Sequence, residues 1–270
     1  MKGKHLFLAT MLLGMPALAQ PVLKPGMGVG PQLQRTNQKT MSIQQTDPEW
    51  FAITENFKAE TRDSVTLSDR DEALAVVSCL VAQNTPNAFR SEIPALLKRG
   101  LEPVDIRETL YHATAYVGLA RVQEFLLVLN AELEARGVSL PLEHRGTVTK
   151  QTRFAEGRAL QDAWFGKEHI DQLFLMPEDK RHIATFLADN CFGDYQTRSG
   201  FTPQERELMT FSLLISLGGV DPQAIAHAGG NVNVGNDREK LLAIATRLLP
   251  YNGYPRTLNA FGFIDKATGK

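Results

Sequence analysis

The stretch Thr202-Pro203-Gln204-Glu205-Arg206-Glu207-Leu208-Met209-Thr210-Phe211-Ser212-Leu213-Leu214-Ile215-Ser216-Leu217-Gly218 decides the fold class. It begins with an N-cap hydroxyl, a proline at the first helical position and a glutamate three residues after the cap, which together predict a helix start. The residues that follow leave almost no polar face, as expected of a buried helix. Further helices are predicted from Asp221, Asn236 and Pro255, whereas alternating strand patterns are hard to find. The sequence therefore predicts an all-α fold.

The same order of elements occurs earlier in the chain. Superposing Gly100 on Gly235 gives an offset of 135 residues, and the helix starts at Thr85 and Asp221 differ from that offset by one residue. The offset aligns further landmark pairs, which are Glu72 with Glu207, Tyr116 with Tyr251, Gly118 with Gly253 and Arg121 with Arg256. This spacing predicts two tandem copies of one helical unit.

The composition excludes several classes of protein. The chain has 270 residues, with 29 Lys plus Arg against 30 Asp plus Glu and a pI near 6.6. Because no surplus of positive charge can release counterions, we expect no nucleic-acid partner. The apolar fraction of 43% can build a core, and two cysteines cannot form a disulfide framework. The six histidines lack metal-ligand spacing, so we predict no metal and no cofactor.

The N-terminus has the pattern of a secretory signal peptide over residues 1–19, with Lys2 and Lys4 before an apolar run and a small-residue cleavage site before Gln20. The run is shorter than the roughly 18 to 20 residues that span a bilayer, so no membrane association is predicted after cleavage. We expect a secreted protein, periplasmic if the source is Gram-negative. Residues 20–47 predict a flexible leader, followed by domains at 48–140 and 153–270 with a linker at 141–152.

Several short motifs follow one another between residues 154 and 264. They are Gly193-Asp194, the stretch 202–208, Ala226-His227, Asn233-Val234-Gly235, the stretch 249–256 and Leu258-Asn259-Ala260. Together they resemble the carboxymuconolactone decarboxylase family, and residues 50–135 are similar to a more diverged member through Gly100, Pro103, Ile106-Arg107-Glu108, Leu110, His112 and Tyr116-Val117-Gly118. The resemblance implies the AhpD-like helical fold of the alkyl hydroperoxide reductase D proteins. It also implies a homo-oligomer, with a trimer favoured for a tandem chain.

Glu207 and His227 are the predicted catalytic pair. His227 falls about two turns into the helix that starts near Pro222, and Glu207 lies near the start of the preceding helix, so antiparallel packing can bring them together. An imidazole can take and return a proton, and a carboxylate beside it fixes its tautomer. The resemblance adds that the related peroxidases use a glutamate and a histidine at the matching positions in a proton relay. The alternative is a structural ion pair or a packed core histidine.

Arg256 and Tyr251 are the predicted substrate-binding residues. The guanidinium of Arg256 can bind a substrate carboxylate through two hydrogen bonds, and the phenol of Tyr251 can donate a proton. Equally, Arg256 and its counterpart Arg121 can bind the last carbonyls of the preceding helices. Tyr251 also suits a half-buried packing position.

In the first copy, Glu72 is aligned with Glu207. The residue aligned with His227 is Glu92, or Ser91 if the one-residue difference between the helix starts is applied. His112 is the candidate to replace the missing histidine from the following helix, and it shares a helical face with Tyr116. The secondary candidates in the first copy are therefore Glu72, His112, Tyr116 and Arg121.

The cysteines argue against thiol chemistry. The peroxidase branch depends on a Cys-x-x-Cys pair at the start of the histidine helix, and here that stretch is Gly218-Gly219-Val220-Asp221-Pro222. Cys79 lies in an apolar run and suits a core position, while Cys191 lies in the segment before the second copy. A disulfide between them stays open as an alternative in an oxidising compartment.

Three hypotheses for function follow. The first is a cofactor-free decarboxylase or lactone-processing enzyme that acts on a small carboxylated substrate, with Arg256 as anion anchor, His227 as proton carrier and Glu207 as its orienting partner. The second is a non-catalytic, oligomeric module that binds a small ligand. The third, a peroxiredoxin-type thiol peroxidase, is disfavoured because Cys-x-x-Cys is absent.

Overall fold

Helices account for the regular structure of residues 42–270, which are the part of the chain that the computed structural model describes. No strand occurs in this part, which confirms the all-α prediction. The predicted signal peptide and all but the last residues of the predicted leader lie outside the described residues. A short helix, α1 (Ile43–Thr46), belongs to one unit, and residues 47–270 form the other.

The two copies of the repeat have matching helices. The first copy contains α2 (Pro48–Asp63), α3 (Asp69–Ala82), α4 (Pro86–Lys98), α5 (Pro103–Val117) and α6 (Leu119–Ala135). The second begins with α7 (Arg153–Phe165), α8 (Lys167–Leu173), α9 (Glu178–Phe186) and a π-helix (Leu187–Gln196). It continues with α10 (Pro203–Leu217), α11 (Asp221–Asn233), α12 (Arg238–Asn252) and α13 (Tyr254–Thr268). In the repeat, α3 corresponds to α10, and α4, α5 and α6 correspond to α11, α12 and α13.

The helix starts follow the sequence signals closely. Thr202 accepts a hydrogen bond from the Glu205 amide at 3.2 Å, and the Glu205 carboxylate accepts one from the Thr202 amide at 2.8 Å. This capping box satisfies two otherwise free amides and fixes the first residue of α10. Asp237 caps α12 with a single hydrogen bond, which its carboxylate accepts from the Lys240 amide at 2.8 Å. At α11 the cap position is Val220 instead of Asp221, which lies inside the first turn.

The core forms where α3 packs against α10. Both helices are buried along almost their whole length, from Glu72 to Ala82 and from Arg206 to Ser216. A helix without a polar face needs cover on all sides, and neither copy alone supplies it. The cover is shared, because α5 packs on α3 of its own copy and also on α10, and α12 packs on both α10 and α3. Residues 47–270 therefore share one continuous core, and the boundaries at 140 and 153 stay predictions about the sequence repeat.

The π-helix packs closely against α7. A Cβ atom at Gly157 would lie 1.9 Å from the Ala188 carbonyl oxygen, and one at Gly193 would lie 2.3 Å from the Arg153 carbonyl oxygen. Only glycine allows this approach of the two backbones. None of the helices described between residues 42 and 270 is long and apolar enough to cross a bilayer.

Candidate functional site

The structure brings Glu207 and His227 together. The Nδ1 atom of His227, on α11, lies 2.9 Å from Oε2 of Glu207, on α10. The Glu207 side chain is fully buried, whereas 15% of the His227 side chain is exposed. The second carboxylate oxygen, Oε1, is buried without a hydrogen-bond partner in the described part of the chain. Within the described part of the chain, the side chain that binds this carboxylate is thus that of His227.

This hydrogen bond determines the tautomer of the histidine. An ionised carboxylate can only accept hydrogen bonds, so Nδ1 of His227 must carry the proton that it donates to Glu207. The lone pair of a neutral imidazole then lies on Nε2, at the other side of the ring. The arrangement gives His227 a free base nitrogen and a buried anion that stabilises the protonated ring.

Close contact between α10 and α11 positions the pair. A Cβ atom at Gly230 would lie 2.5 Å from Oε2 of Glu207 and 2.9 Å from Cε1 of Phe165, so the helix must carry glycine there. Asn231 donates from Nδ2 to the backbone oxygens of Glu207, at 2.9 Å, and of His227, at 2.7 Å. The Phe165 ring contacts the imidazole edge-on, with 5.4 Å between ring centroids. These contacts hold both side chains in one orientation.

The first copy also contributes to this site, through α5. The Tyr116 ring lies 6.1 Å from the His227 ring and 5.4 Å from the His112 ring, centroid to centroid, and it is tilted by 33° relative to the His112 ring. The predicted place of His112 and Tyr116 in the first-copy site is wrong, because both side chains lie beside α10 and the His227 ring. The packing of α5 explains the difference, because α5 contacts α10 as well as α3, and both side chains form hydrogen bonds with Thr210 on α10.

A directional hydrogen-bond chain runs from Arg206 to Tyr116. A guanidinium can only donate, so Nδ1 of His112 accepts from Arg206 at 3.4 Å, and Nε2 of His112 must donate to Thr210 at 2.9 Å. Thr210 in turn donates to the Tyr116 hydroxyl at 3.0 Å, which also accepts from Gln196 at 2.9 Å. The Tyr116 hydroxyl oxygen therefore accepts two hydrogen bonds, and its own proton faces the Cys191 thiol, with which it also interacts.

Burial keeps this chain in defined protonation states. Burial and the nearby Arg206 charge hold the pKa of His112 well below its usual value, so the ring is neutral at physiological pH. Burial likewise raises the pKa of Tyr116 well above its usual value, so the phenol keeps its proton. Burial lowers the pKa of Arg206 to about 10, which still leaves the guanidinium charged at neutral pH.

Cys191 lies beside the same site, which the sequence did not reveal. Its thiol interacts with Tyr116 and with the Glu207 charge, and burial raises its pKa to about 12. Cys79 is buried on α3, and burial raises its pKa to about 11. Both cysteines are free, so the alternative of a disulfide between them is not realised in the structure. A thiol that stays protonated is a poor nucleophile, which weighs against peroxidase chemistry.

We expect both thiols to be slow towards electrophiles in the folded protein. At neutral pH a thiol of pKa 12 is ionised to only about one part in 10⁵. Labelling with Ellman's reagent should therefore be slow in buffer and should reach two thiols per chain after denaturation. Rapid labelling of one thiol in buffer, together with peroxide consumption that a Cys191→Ser variant loses, would contradict this assignment.

The two arginines lie at the far ends of the central helices. Arg121 donates from Nη1 to the carbonyl oxygen of Ala82, the last residue of α3. The Arg256 side chain lies against Gly218, where α10 ends. Glu207 is eleven residues earlier on α10, which corresponds to about 16 Å along the helix axis. The structure therefore does not bring Arg256 to the predicted pair, and Arg121 stabilises a helix end.

Tyr251 and Glu72 line the same cavity, away from His227. Because α12 covers α3, the Tyr251 hydroxyl lies 3.3 Å from Oε1 of Glu92, in a cavity that Glu72 also lines. Tyr251 is therefore not beside His227. Tyr251 of the second copy lies near Glu72 of the first, and Tyr116 of the first copy lies near Glu207 of the second. The residue that takes the place of His227 in this cavity is Glu92.

A cavity adjoins the chain of hydrogen bonds. It has a volume of about 650 Å³, and its wall includes Arg206, Gln196 and Trp164. Arg206 and Gln196 are the residues that donate to His112 and to Tyr116. Between residues 42 and 270, no group of three or more His, Cys, Asp or Glu side chains is arranged to hold a metal ion.

Comparison with known proteins agrees with the two-copy architecture. The model of the carboxymuconolactone decarboxylase family matches residues 48–131 and residues 182–266. The matched regions include α2 to α5 and α10 to α12, and together they cover more than half of the chain. No curated protein matches the chain. With its all-helical AhpD-like fold and its two matched regions, the chain belongs to the carboxymuconolactone decarboxylase family as a tandem two-copy member.

Proposed function

We propose that this chain is a cofactor-free enzyme of the decarboxylase or lactone-processing class, in which His227 transfers a proton to or from a small carboxylated substrate. One observation carries the proposal. The Nδ1 atom of His227 binds the fully buried Glu207 carboxylate at 2.9 Å, while part of the imidazole stays exposed. Secretion through the predicted signal peptide and assembly into a trimer are part of the same proposal.

The chemistry needs a group that can give a proton to carbon. When the substrate loses CO₂, the bond to its carboxylate breaks and the electron pair stays on the substrate as an enolate. Protonated His227 gives its Nε2 proton to the enolate carbon, and water restores the imidazolium afterwards. Glu207 offsets the positive charge of that imidazolium at Nδ1. Tyr116, kept protonated by burial, is a second donor beside His227.

A lactone reaction uses the same residues in two steps. The free Nε2 of neutral His227 takes a proton from the carbon next to the carbonyl, and the imidazolium returns it to another carbon of the same enolate. Arg256 is left out of both routes, because it lies at the opposite end of α10. Glu207 and Tyr116 keep the roles given above.

The test is a substrate panel assayed in D₂O. Carboxylated lactones and β-keto acids are incubated with the full chain, and both CO₂ release and deuterium in the product are measured. We expect one member of the panel to lose CO₂ or to shift its double bond, with one deuterium at the carbon that receives the proton. Turnover of none above the rate with heat-denatured protein would contradict the proposal and would favour a non-catalytic binding module.

A further inference from the structure

The cavity of the first copy lies at the place that corresponds to the His227 site. Its volume is about 510 Å³, and helices α2, α3, α4 and α12 form its wall. With the offset of 135 residues, three residues of this wall correspond to the main residues of the second-copy site. The pairs are Glu72 with Glu207, Glu92 with His227 and Tyr251 with Tyr116. The same positions of the repeat are therefore compatible with an open cavity.

In the second copy, the ring of Phe165 fills this place. Ala95 and Gly230 are equivalent in the repeat, and Ala95 lines the first-copy cavity. A Cβ atom at Gly230 would instead lie 2.9 Å from Cε1 of Phe165. The same ring lies edge-on to the imidazole of His227 at 5.4 Å and to the ring of Phe192 at 6.1 Å, centroid to centroid. A volume that is open in the first copy is thus occupied by a side chain of α7.

This filling leaves His227 little contact with solvent. Each copy places one aromatic ring edge-on to the imidazole, Tyr116 from α5 and Phe165 from α7. Glu207 binds Nδ1, and 15% of the His227 side chain stays exposed. An atom that exchanges a proton with the imidazole must come within about 3 Å of its free nitrogen. A carboxylated substrate needs more room for this approach than the remaining opening gives.

Phe165 is the ring that can move. Two hydrogen bonds hold the Tyr116 hydroxyl, whereas Phe165 is half-buried and its ring has no polar atom. The backbone beside it is fixed, because Asn233 donates from Nδ2 to the carbonyl oxygen of Trp164 at 2.9 Å. The Phe165 ring can therefore change its rotamer while the end of α7 stays on α11.

We infer that the Phe165 side chain is a gate, and that a substrate reaches His227 when this ring rotates towards solvent. The rotation opens the space that the first copy leaves free. Because the ring covers His227 in the structure, the apparent affinity for substrate is reduced by the fraction of molecules in which the gate is open. This inference rests on the proposed function, since it takes His227 as the group that the substrate must reach.

The experiment measures how fast diethyl pyrocarbonate acylates His227 in the full chain. This reagent attacks neutral imidazoles, and mass spectrometry of peptides reports the rate for each histidine. His169, exposed on α8, is the reference within the same molecule. His112 is fully buried and reports any general loosening. Rates are taken from the plateau between pH 6 and 9, where His227 is neutral, so that a change in its pKa does not count as a change in access.

The variants are Phe165→Ala, Phe165→Leu and Phe165→Trp. The matched control is Phe174→Ala, because Phe174 is also half-buried and contacts Phe154, at 6.2 Å between centroids. Circular dichroism and the melting temperature show whether each variant is folded.

In the wild type, His227 should react more slowly than His169. Relative to His169, the rate at His227 should rise at least about fivefold in Phe165→Ala, because the gate is permanently open. It should rise less in Phe165→Leu, and it should not rise in Phe165→Trp or in Phe174→Ala. His112 should stay unlabelled throughout.

An unchanged rate at His227 in folded Phe165→Ala would overturn the inference. If that variant does not fold, an unchanged rate in folded Phe165→Leu overturns it instead. An equal rise in Phe174→Ala, or labelling of His112, would show general loosening and would also count against the gate. The labelling needs no turnover, so an inactive substrate panel defeats the proposed function alone, and unchanged labelling defeats the gate alone.

Discussion

Replacing His227 with glutamine is expected to lower kcat by about 10²- to 10⁴-fold while the protein stays folded. Glutamine can keep a hydrogen bond to Glu207, but it cannot take up and release a proton at neutral pH. The imidazole is partly exposed, so its loss should leave little void in the core. The measurement is kcat and KM on the substrate identified in the panel, with deuterium incorporation as a second readout.

The control is His169→Gln, because His169 is exposed on α8. It should behave like the wild type. Glu207→Gln should fall between the two, since an amide oxygen can still accept from Nδ1 but cannot offset the imidazolium charge. If His227→Gln turns over substrate as fast as His169→Gln, the histidine has no part in the reaction and the proposed mechanism fails.

Replacing Gly230 with alanine is expected to destabilise the protein by about 1–3 kcal/mol and to reduce turnover with it. The new Cβ atom would lie 2.5 Å from Oε2 of Glu207 and 2.9 Å from Cε1 of Phe165. Because no atom fits at that distance, α11 must move away or the carboxylate must rotate. Either movement lengthens the hydrogen bond between Glu207 and His227.

Gly229 provides a matched control on the same helix. A Cβ atom there meets nothing within 4 Å, so Gly229→Ala changes only the helix propensity and should stabilise the protein by up to about 1 kcal/mol. The melting temperatures and kcat of the two variants should therefore change in opposite directions or by clearly different amounts. Equal stability and equal turnover would show that Gly230 does not set the spacing of the two helices.

Much of the fold and the main pair of residues could be predicted from local signals. The capping box at Thr202 fixes where α10 starts, and Pro222 fixes the start of α11 within a residue. Once both helices have a start, the positions of Glu207 and His227 along them follow from the helical repeat. The pair was therefore found from short-range chemistry, which a single sequence records well.

The contact of α5 and α12 with the central helices of both copies could not be predicted from the sequence. An offset of 135 residues shows that α5 and α12 are equivalent, but it does not show which central helix each one covers. Covering its own copy or the other copy uses the same apolar positions. For this reason, the expected place of Tyr116 and His112 in the first-copy site, and of Tyr251 beside His227, was wrong.

The remaining parts of both sites depend on long-range geometry. The sequence has no signal that marks residues 187–196 as a π-helix. Cys191 and Gln196, which lie on this helix, are the residues that it places near Tyr116. Likewise, the three arginines whose side chains converge on Glu72 are far apart in the chain, at Arg62, Arg99 and Arg247. Charges spread over three elements resemble ordinary surface residues until the elements are packed.

The most direct test of the proposed proton carrier is the tautomer of His227, measured by NMR on ¹⁵N-histidine-labelled protein. At about pH 9, where an ordinary imidazole is neutral, we predict a proton on Nδ1 and a bare Nε2. The His227→Gln variant assigns the signal, and Glu207→Leu should abolish the preference for Nδ1. A proton on Nε2 in the wild type, or the same tautomer in Glu207→Leu, would contradict the account.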